Sequence, residues 1–152
     1  MSQDANPSNP QVQMLKMYWK DASLQVPLGI KIFQHEWSPE VNLEMNTQSK
    51  PLTEANTHEV AVKVKCTVKC KDATAFVVEV EQAGVFMLTD LDEAATHHAL
   101  GAFCPSLLYP FLREAVGDLI VRAGFPQLNL APINFDAVYQ QQLQGTEQEI
   151  LQ

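Results

Sequence analysis

The strongest pattern of apolar and polar positions lies between Leu108 and Ala123. Leu108, Phe111, Leu112, Ala115, Val116, Leu119, Ile120 and Ala123 recur at i, i+3, i+4, i+7 and i+8, the spacing of one helix face. Ser106 is placed to cap the start, and Pro110 falls late in the first turn, where it would bend the helix. Gly124 stands where a left-handed C-cap residue belongs, and Pro126 blocks continuation. The run from Phe125 to Phe135 is too apolar for an ordinary surface loop. It is either buried or offered to another molecule.

Upstream the period falls to two. From Val12 to Val26 the apolar residues change parity twice: Val12 and Met14, then Leu15, Met17 and Trp19, then Ala22, Leu24 and Val26. A long strand with a bulge or strong twist does this, and so does burial on both faces against a partner subunit. Pro27 to Pro39 reads as a connection carrying Phe33 and Trp37, and Glu40 to Asn46 alternates cleanly, with Val41, Leu43 and Met45 on one face. Thr47 to Asn56 reads as a polar loop. The next strand sets Val60, Val62, Val64, Cys66 and Val68 against Glu59, Lys63, Lys65, Thr67 and Lys69. A short turn at Lys71 to Thr74 returns the chain as a hairpin, with Phe76, Val78 and Val80 on one face and Val77, Glu79 and Glu81 on the other. That strand is expected to run through Gly84 to Leu88, the glycine marking a bulge or a close approach.

Asp90 or Asp92 can cap a helical segment from Glu93 to Phe103, which Pro105 is expected to interrupt. Asn134 can cap a short last helix from Phe135 to about Leu143. Residues 1–11 read as a disordered polar tail, 12–144 as a single domain and 145–152 as a flexible acidic tail. Strands first and helices after give an α+β fold: a four-stranded antiparallel sheet with two main helices on one face.

Composition narrows the function. At 152 residues with 46% hydrophobic and 18% charged residues, the chain can build one core and still leave apolar surface uncovered by charge. The formal net charge of −8 argues against nucleic acid or anionic lipid as main partner and leaves a basic protein as the sharper alternative to plain solubility. No apolar run approaches the roughly 20 residues that span a bilayer, and the polar N-terminus is not a signal peptide. Three cysteines fit a reducing compartment, so a cytoplasmic location is expected.

Nothing marks catalytic chemistry. Cys66 and Cys70 lie four apart on a strand, roughly 13 Å, too far for a disulfide or a shared zinc, and read as small buried hydrophobes. Cys104 has no nearby cation in sequence to activate it. His97 and His98 cannot both face one metal from a helix, and Glu93 with His97 supplies only two ligands. No phosphate loop, nucleophile elbow or HExxH is present. An enzyme reading, such as a thioester hydrolase using Glu114, therefore lacks a marked constellation. Neither a metal nor a cofactor is expected.

Several segments together closely resemble the SecB family of cytosolic export chaperones. They are Gly101-Ala102-Phe103-Cys104-Pro105, Leu108-Tyr109-Pro110, Phe125-Pro126-Gln127-Leu128-Asn129-Leu130-Ala131-Pro132 and Asn134-Phe135-Asp136-Ala137. Phe33-Gln34, Trp37, Pro39-Glu40-Val41, Thr74-Ala75-Phe76, Glu79-Val80, Gly84 and Phe86 extend the likeness over roughly Val12 to Leu143. The resemblance implies an ATP-independent holdase that keeps secretory precursors unfolded and hands them to the SecA motor. It also implies a homotetramer, a dimer of dimers, with the long helices between two extended sheets. A SecB-like chaperone serving a toxin–antitoxin pair is the alternative within the same fold.

On that footing, the apolar loop, the last helix and the Val41 strand are expected to wall an elongated groove for unfolded polypeptide. Its candidates are Phe33, Trp37, Val41, Leu43, Met45, Leu128, Leu130, Ile133, Tyr139 and Leu143. The resemblance further implies that the zinc-bearing tail of SecA docks on an acidic sheet face through Asp21 and Glu79. A further family acid falls at Gln25 here, and Glu81, on the face of Glu79, is the candidate to replace it.

Overall fold

A computed structural model describes the backbone of residues 9–151 and the side chains of 9–144. Four strands, β1 (Gln11–Gln25), β2 (Pro39–Pro51), β3 (Thr57–Cys70) and β4 (Ala73–Thr89), form one antiparallel sheet in the order β1-β4-β3-β2. The helices α1 (Glu93–His98), α2 (Cys104–Arg122) and α3 (Phe135–Leu151) follow, with a π-helical turn, Ala99–Phe103, joining the first two.

The parity changes of β1 are bulges. The pairing with β4 slips between Met14 and Lys16 and again between Trp19 and Asp21, so Leu15 and Lys20 are the extra residues. Each slip restores the next apolar set, Met17 and then Ala22 and Leu24, to the helix-facing side. Gly84 is the close approach rather than a bulge of its own strand. A Cβ there would stand 3.1 Å from Leu108 Cδ2 and 3.2 Å from the Lys16 carbonyl oxygen.

β2 is longer than its alternation suggests. Residues Thr47 to Pro51, which read as loop, continue the ladder opposite Val62 to His58. They are polar on both faces because β2 is an edge strand with little above it to bury. The connection from β1 to β2 contains a 3-10 turn, Gly29–Gln34, which plugs Ile32 into the core.

Pro105 does not interrupt the helix. The Cys104 N–H bonds back five residues to the Ala99 carbonyl, and the backbone stays in the right-handed helical region from His98 through Cys104. The π turn relieves the strain by shifting the bonding frame just before the proline. Ser106 is not a cap: its hydroxyl donates to the Phe103 carbonyl, and Pro110 sits inside α2. Asp92 caps α1 by accepting from Ala95 N–H at 2.7 Å, and Asn134 caps α3 by accepting from Ala137 N–H at 3.1 Å. Gly124, at φ 99°, ends α2 with two reversed bonds, Gly124 N–H to Val121 O and Phe125 N–H to Ile120 O. The chain of α3 continues to Leu151, past the expected end near Leu143. Gln11 already belongs to β1, while residues 1–8 of the expected N-terminal tail lie outside the described residues.

The core lies between the sheet and α2. Val60, Val62, Val64, Cys66 and Val68 of β3, and Phe76, Val78, Val80 and Phe86 of β4, meet Leu108, Leu112, Val116 and Ile120, all fully buried. Cys66 and Cys70 are buried members of this layer, as the sequence reading has it, and Cys104 is buried there as well. A helix is about 10 Å across, whereas four strands span about 19 Å at their ordinary spacing. One helix therefore roofs two strands. α2 roofs β3 and β4, and the helix-facing sides of β1 and β2 are left as apolar flanks.

Candidate functional site

The flank over β2 carries an open apolar strip. Val41 and Leu43 pair with Val68 and Cys66, so they point to the helix side of the sheet. Their partners are sealed, yet Val41 is 47% and Leu43 40% exposed. Met45 follows on the same side, partly buried against the core. At one end the chain folds aromatic residues together. Phe33 stacks on Phe125 with ring centroids 5.0 Å apart, Trp37 tilts against it at 5.7 Å, and Phe76 backs it at 4.7 Å. Phe33 and Trp37 keep open faces, 50% and 38% exposed, while Phe125 is buried beneath them. The helix layer also meets β2 at the π turn, whose Phe103 is exposed.

The remaining groove candidates separate into two groups. Leu128 and Ile133 are partly buried against the core, and Leu143 is 36% exposed on α3. Leu130 and Tyr139 are closed in within the subunit, at 7% exposure each, so they back the wall and present no open surface of their own. Tyr139 lies on Gly101, where a Cβ would come within 2.6 Å of the ring, and its hydroxyl is hydrogen-bonded to His97 Nδ1. Phe125, the floor of the aromatic end, was not among the sequence candidates. Its signal was present: it follows the helix-ending Gly124, where an apolar residue folds back onto the preceding helix. The exposed Leu28, which precedes the 3-10 turn, and Ile30 within it were likewise missed; their apolar side chains between Pro27 and Pro39 were the available clue.

The opposite face of the sheet carries most of the strands' charged side chains. Asp21 pairs with Glu81, Ser23 with Glu79 and Gln25 with Val77 across β1 and β4, which brings Asp21, Glu79 and Glu81 together. The second bulge makes this possible. In unbroken register Lys20 would stand opposite Glu81, and Asp21 would point to the helix side. On the far side of β4, Lys63 pairs with Glu81 and Lys65 with Glu79. Lys63 Nζ also reaches Glu79 Oε1 at 3.6 Å, whereas Asp21 and Glu81 have no ion pair among the described residues.

Glu114, the acid of the enzyme reading, is open to solvent on α2. Glu114 lines shallow clefts beside α2 with Arg113, Gly117, Asp118, Gln127 and Asn129, and with Met17, Trp19, Gln82 and Phe111. No histidine, serine or cysteine stands among these lining residues to complete a hydrolytic set. His97 and His98 are engaged by α3, His98 Nε2 lying 2.6 Å from Asp136 Oδ1. Among the described residues no three His, Cys, Asp or Glu side chains converge as metal ligands. None of the described helices is long and apolar enough to cross a membrane.

The chain is similar to proteins of known kind over nearly all of its length. The model of the SecB family, "Preprotein translocase subunit SecB", matches residues 5–146. The protein-export protein SecB of Pseudomonas syringae pv. tomato is 47% identical over 145 residues, covering 95% of this chain and 88% of the relative. That of Azotobacter vinelandii is 44% identical over 141 residues, covering 93% and 86%. Among solved structures, a SecB-like chaperone of Mycobacterium tuberculosis, in complex with a ChAD peptide from the HigA1 antitoxin, superposes with a TM-score of 0.64. At 18% identity over 80% of this chain and 87% of that one, it shows a shared fold. A helix-roofed four-stranded sheet with an open apolar flank, and identity near one half to export proteins end to end, lead to one assignment: this chain belongs to the SecB family and is a chaperone of protein export.

Proposed function

We propose that the apolar strip over β2 is the floor of a trough that holds unfolded segments of secretory precursors, without nucleotide, and that the protein passes them to the SecA motor. The observation that carries this reading is the exposure of Val41 and Leu43 beside the open faces of Phe33 and Trp37 on the Phe125 floor. Covering apolar surface is worth about 25 cal/mol per Å², while fixing a client residue's backbone costs roughly 1–2 kcal/mol. A row of shallow subsites linked by the client's own chain balances the two and tolerates many sequences. β2 is also an edge strand, so an extended client can hydrogen-bond to its free side while its side chains rest on Val41 and Leu43.

The flank over β1 has the makings of a contact between copies. Met14 and Trp19 on β1 and Phe111 on α2 are exposed there, around Glu114, Asp118 and Arg122. This supports a tetramer built as a dimer of dimers, with α2 between sheets. The acidic cluster of Asp21, Glu79 and Glu81 is the proposed dock for the basic, zinc-bearing tail of SecA, with Glu81 standing in for the acid absent at Gln25. The protein acts in the cytoplasm as a binding protein rather than an enzyme. An antitoxin-directed role draws support from a fold neighbour of 18% identity, against 44–47% for the export proteins. Light scattering of a denatured precursor diluted with and without the protein, in nucleotide-free buffer, tests the proposal. Suppressed aggregation is expected; unaltered aggregation overturns it.

A further inference from the structure

The acidic sheet face is not uniformly acidic, and its register sets out how the charges alternate. One row across the sheet runs Asp21, Glu81, Lys63 and Asn46; the next runs Ser23, Glu79, Lys65 and Glu44. Acids of β1 and β4 thus border lysines of β3. Lys63 reaches diagonally from the first row into the second, placing its ammonium 3.6 Å from Glu79 Oε1. Both side chains are open to water, Lys63 at 44% and Glu79 at 32% exposure, so the pair is weak and exchangeable.

We propose that Lys63 is an intramolecular competitor that sets how strongly this face holds a cationic partner. It occupies the position that an incoming lysine or arginine must take on Glu79, so docking breaks one ion pair as it makes another. The inference rests on the reading that this face binds a basic segment. Asp21 and Glu81, free of such a pair, make the first contacts, and Glu79 joins only when Lys63 is displaced. The preferred partner places one cation between Asp21 and Glu81 and a second over Glu79, about two strand residues or 7 Å further along. A lone cation gains only the outer pair.

The test uses the full chain and a short lysine-rich peptide amide, titrated at low and at physiological salt. Lys63→Met should tighten binding roughly two- to fivefold, the range an exposed ion pair spans. Lys69→Met removes the same charge from the same face of β3 but pairs with Glu40 and Thr74, away from Glu79. It should gain clearly less. In a Glu79→Gln background, Lys63→Met should bring no gain. If Lys69→Met tightens binding as much, or if the gain survives Glu79→Gln, the effect is net charge alone and the proposal fails. If the wild-type chain does not bind the peptide, or Asp21→Asn with Glu79→Gln leaves binding unchanged, the docking reading itself fails and takes this one with it.

Discussion

Tyr18 on β1 donates its phenolic O–H to Oε2 of Glu59 on β3, spanning the strand between them. The residues across from Tyr18 in its own row are small. Ala83 lies opposite Tyr18 and Ala61 opposite Ala83, and both are buried although they belong to the outer face. Lys20, the extra residue of the second bulge, reaches the same carboxylate, its Nζ 2.9 Å from Oε1. Two side chains of an edge strand are thereby fastened to the middle of the sheet, immediately before Asp21.

This staple predicts a pH dependence at both extremes. The hydrogen bonds from Tyr18 and then Lys20 hold the Glu59 carboxyl below its ordinary range. Its contribution is complete above the unfolded value of 4.5 and is lost as pH falls through the lower folded value. The bond to Glu59, with burial and the carboxylate charge, pushes Tyr18 from 10.0 up to about 12. Its contribution is complete below 10.0 and is lost as pH rises toward 12. Tyr18→Phe should cost about 1–2 kcal/mol at neutral pH and flatten the alkaline limb of a stability–pH profile; Glu59→Gln should flatten the acid limb.

Leu43→Arg places a charge in the trough without touching the sealed core. Capture of a denatured client, followed by competition binding, should weaken roughly three- to tenfold. Far-ultraviolet circular dichroism and assembly size should stay as in the wild type. Trp37→Ala should act in the same direction by removing an open aromatic face. Leu130→Ala should instead lower stability, because that side chain is buried.

Gly101 fixes where α3 lies. An alanine there would drive its Cβ to 2.6 Å from the Tyr139 ring, so the ring and the start of α3 must shift. Gly101→Ala should lower stability by about 1–3 kcal/mol in thermal unfolding. Adding Tyr139→Ala should make the Gly101→Ala change nearly silent, because its steric partner is gone.

Glu81→Lys should weaken binding of a basic tail at low salt, and the difference should shrink as salt rises, since the screening length between exposed charges falls to about 8 Å at physiological ionic strength. Asp21→Lys should do the same, the two acids being cross-strand neighbours. Equal binding by both variants and the wild type would remove the acidic face from the docking account.

Burial pushes the Cys104 thiol up to about 12, and burial also raises Cys66. Neither should react with iodoacetamide at pH 8 in the folded chain, because thiolate is the reacting form. Both should label readily in denaturant, which mass spectrometry reads directly.

The strands were legible where one side is covered. Val60 to Val68 and Phe76 to Val80 alternate because one side meets α2 and the other meets water. The double parity change of β1 recorded both bulges at Leu15 and Lys20. The end of β2 was not legible, since an edge strand polar on both sides carries no period. Pro105 also misled, because a proline prohibits one hydrogen bond and not the π turn that avoids it. Among groove candidates, Val41 and Leu130 looked alike as apolar residues, yet one is open and the other sealed.

Taken alone, the sequence determined the element types, the α+β class and, through its long matching segments, the family. These depend on local periodicity, caps and residue identity, all of which are read along the chain. The strand order, the uncovered flanks and the meeting of Asp21 with Glu81 were decided only in three dimensions. They depend on how many strands one helix can roof and on pairings between residues far apart in the chain, up to the 78 positions between Gln11 and Thr89, and such pairings leave no period in sequence.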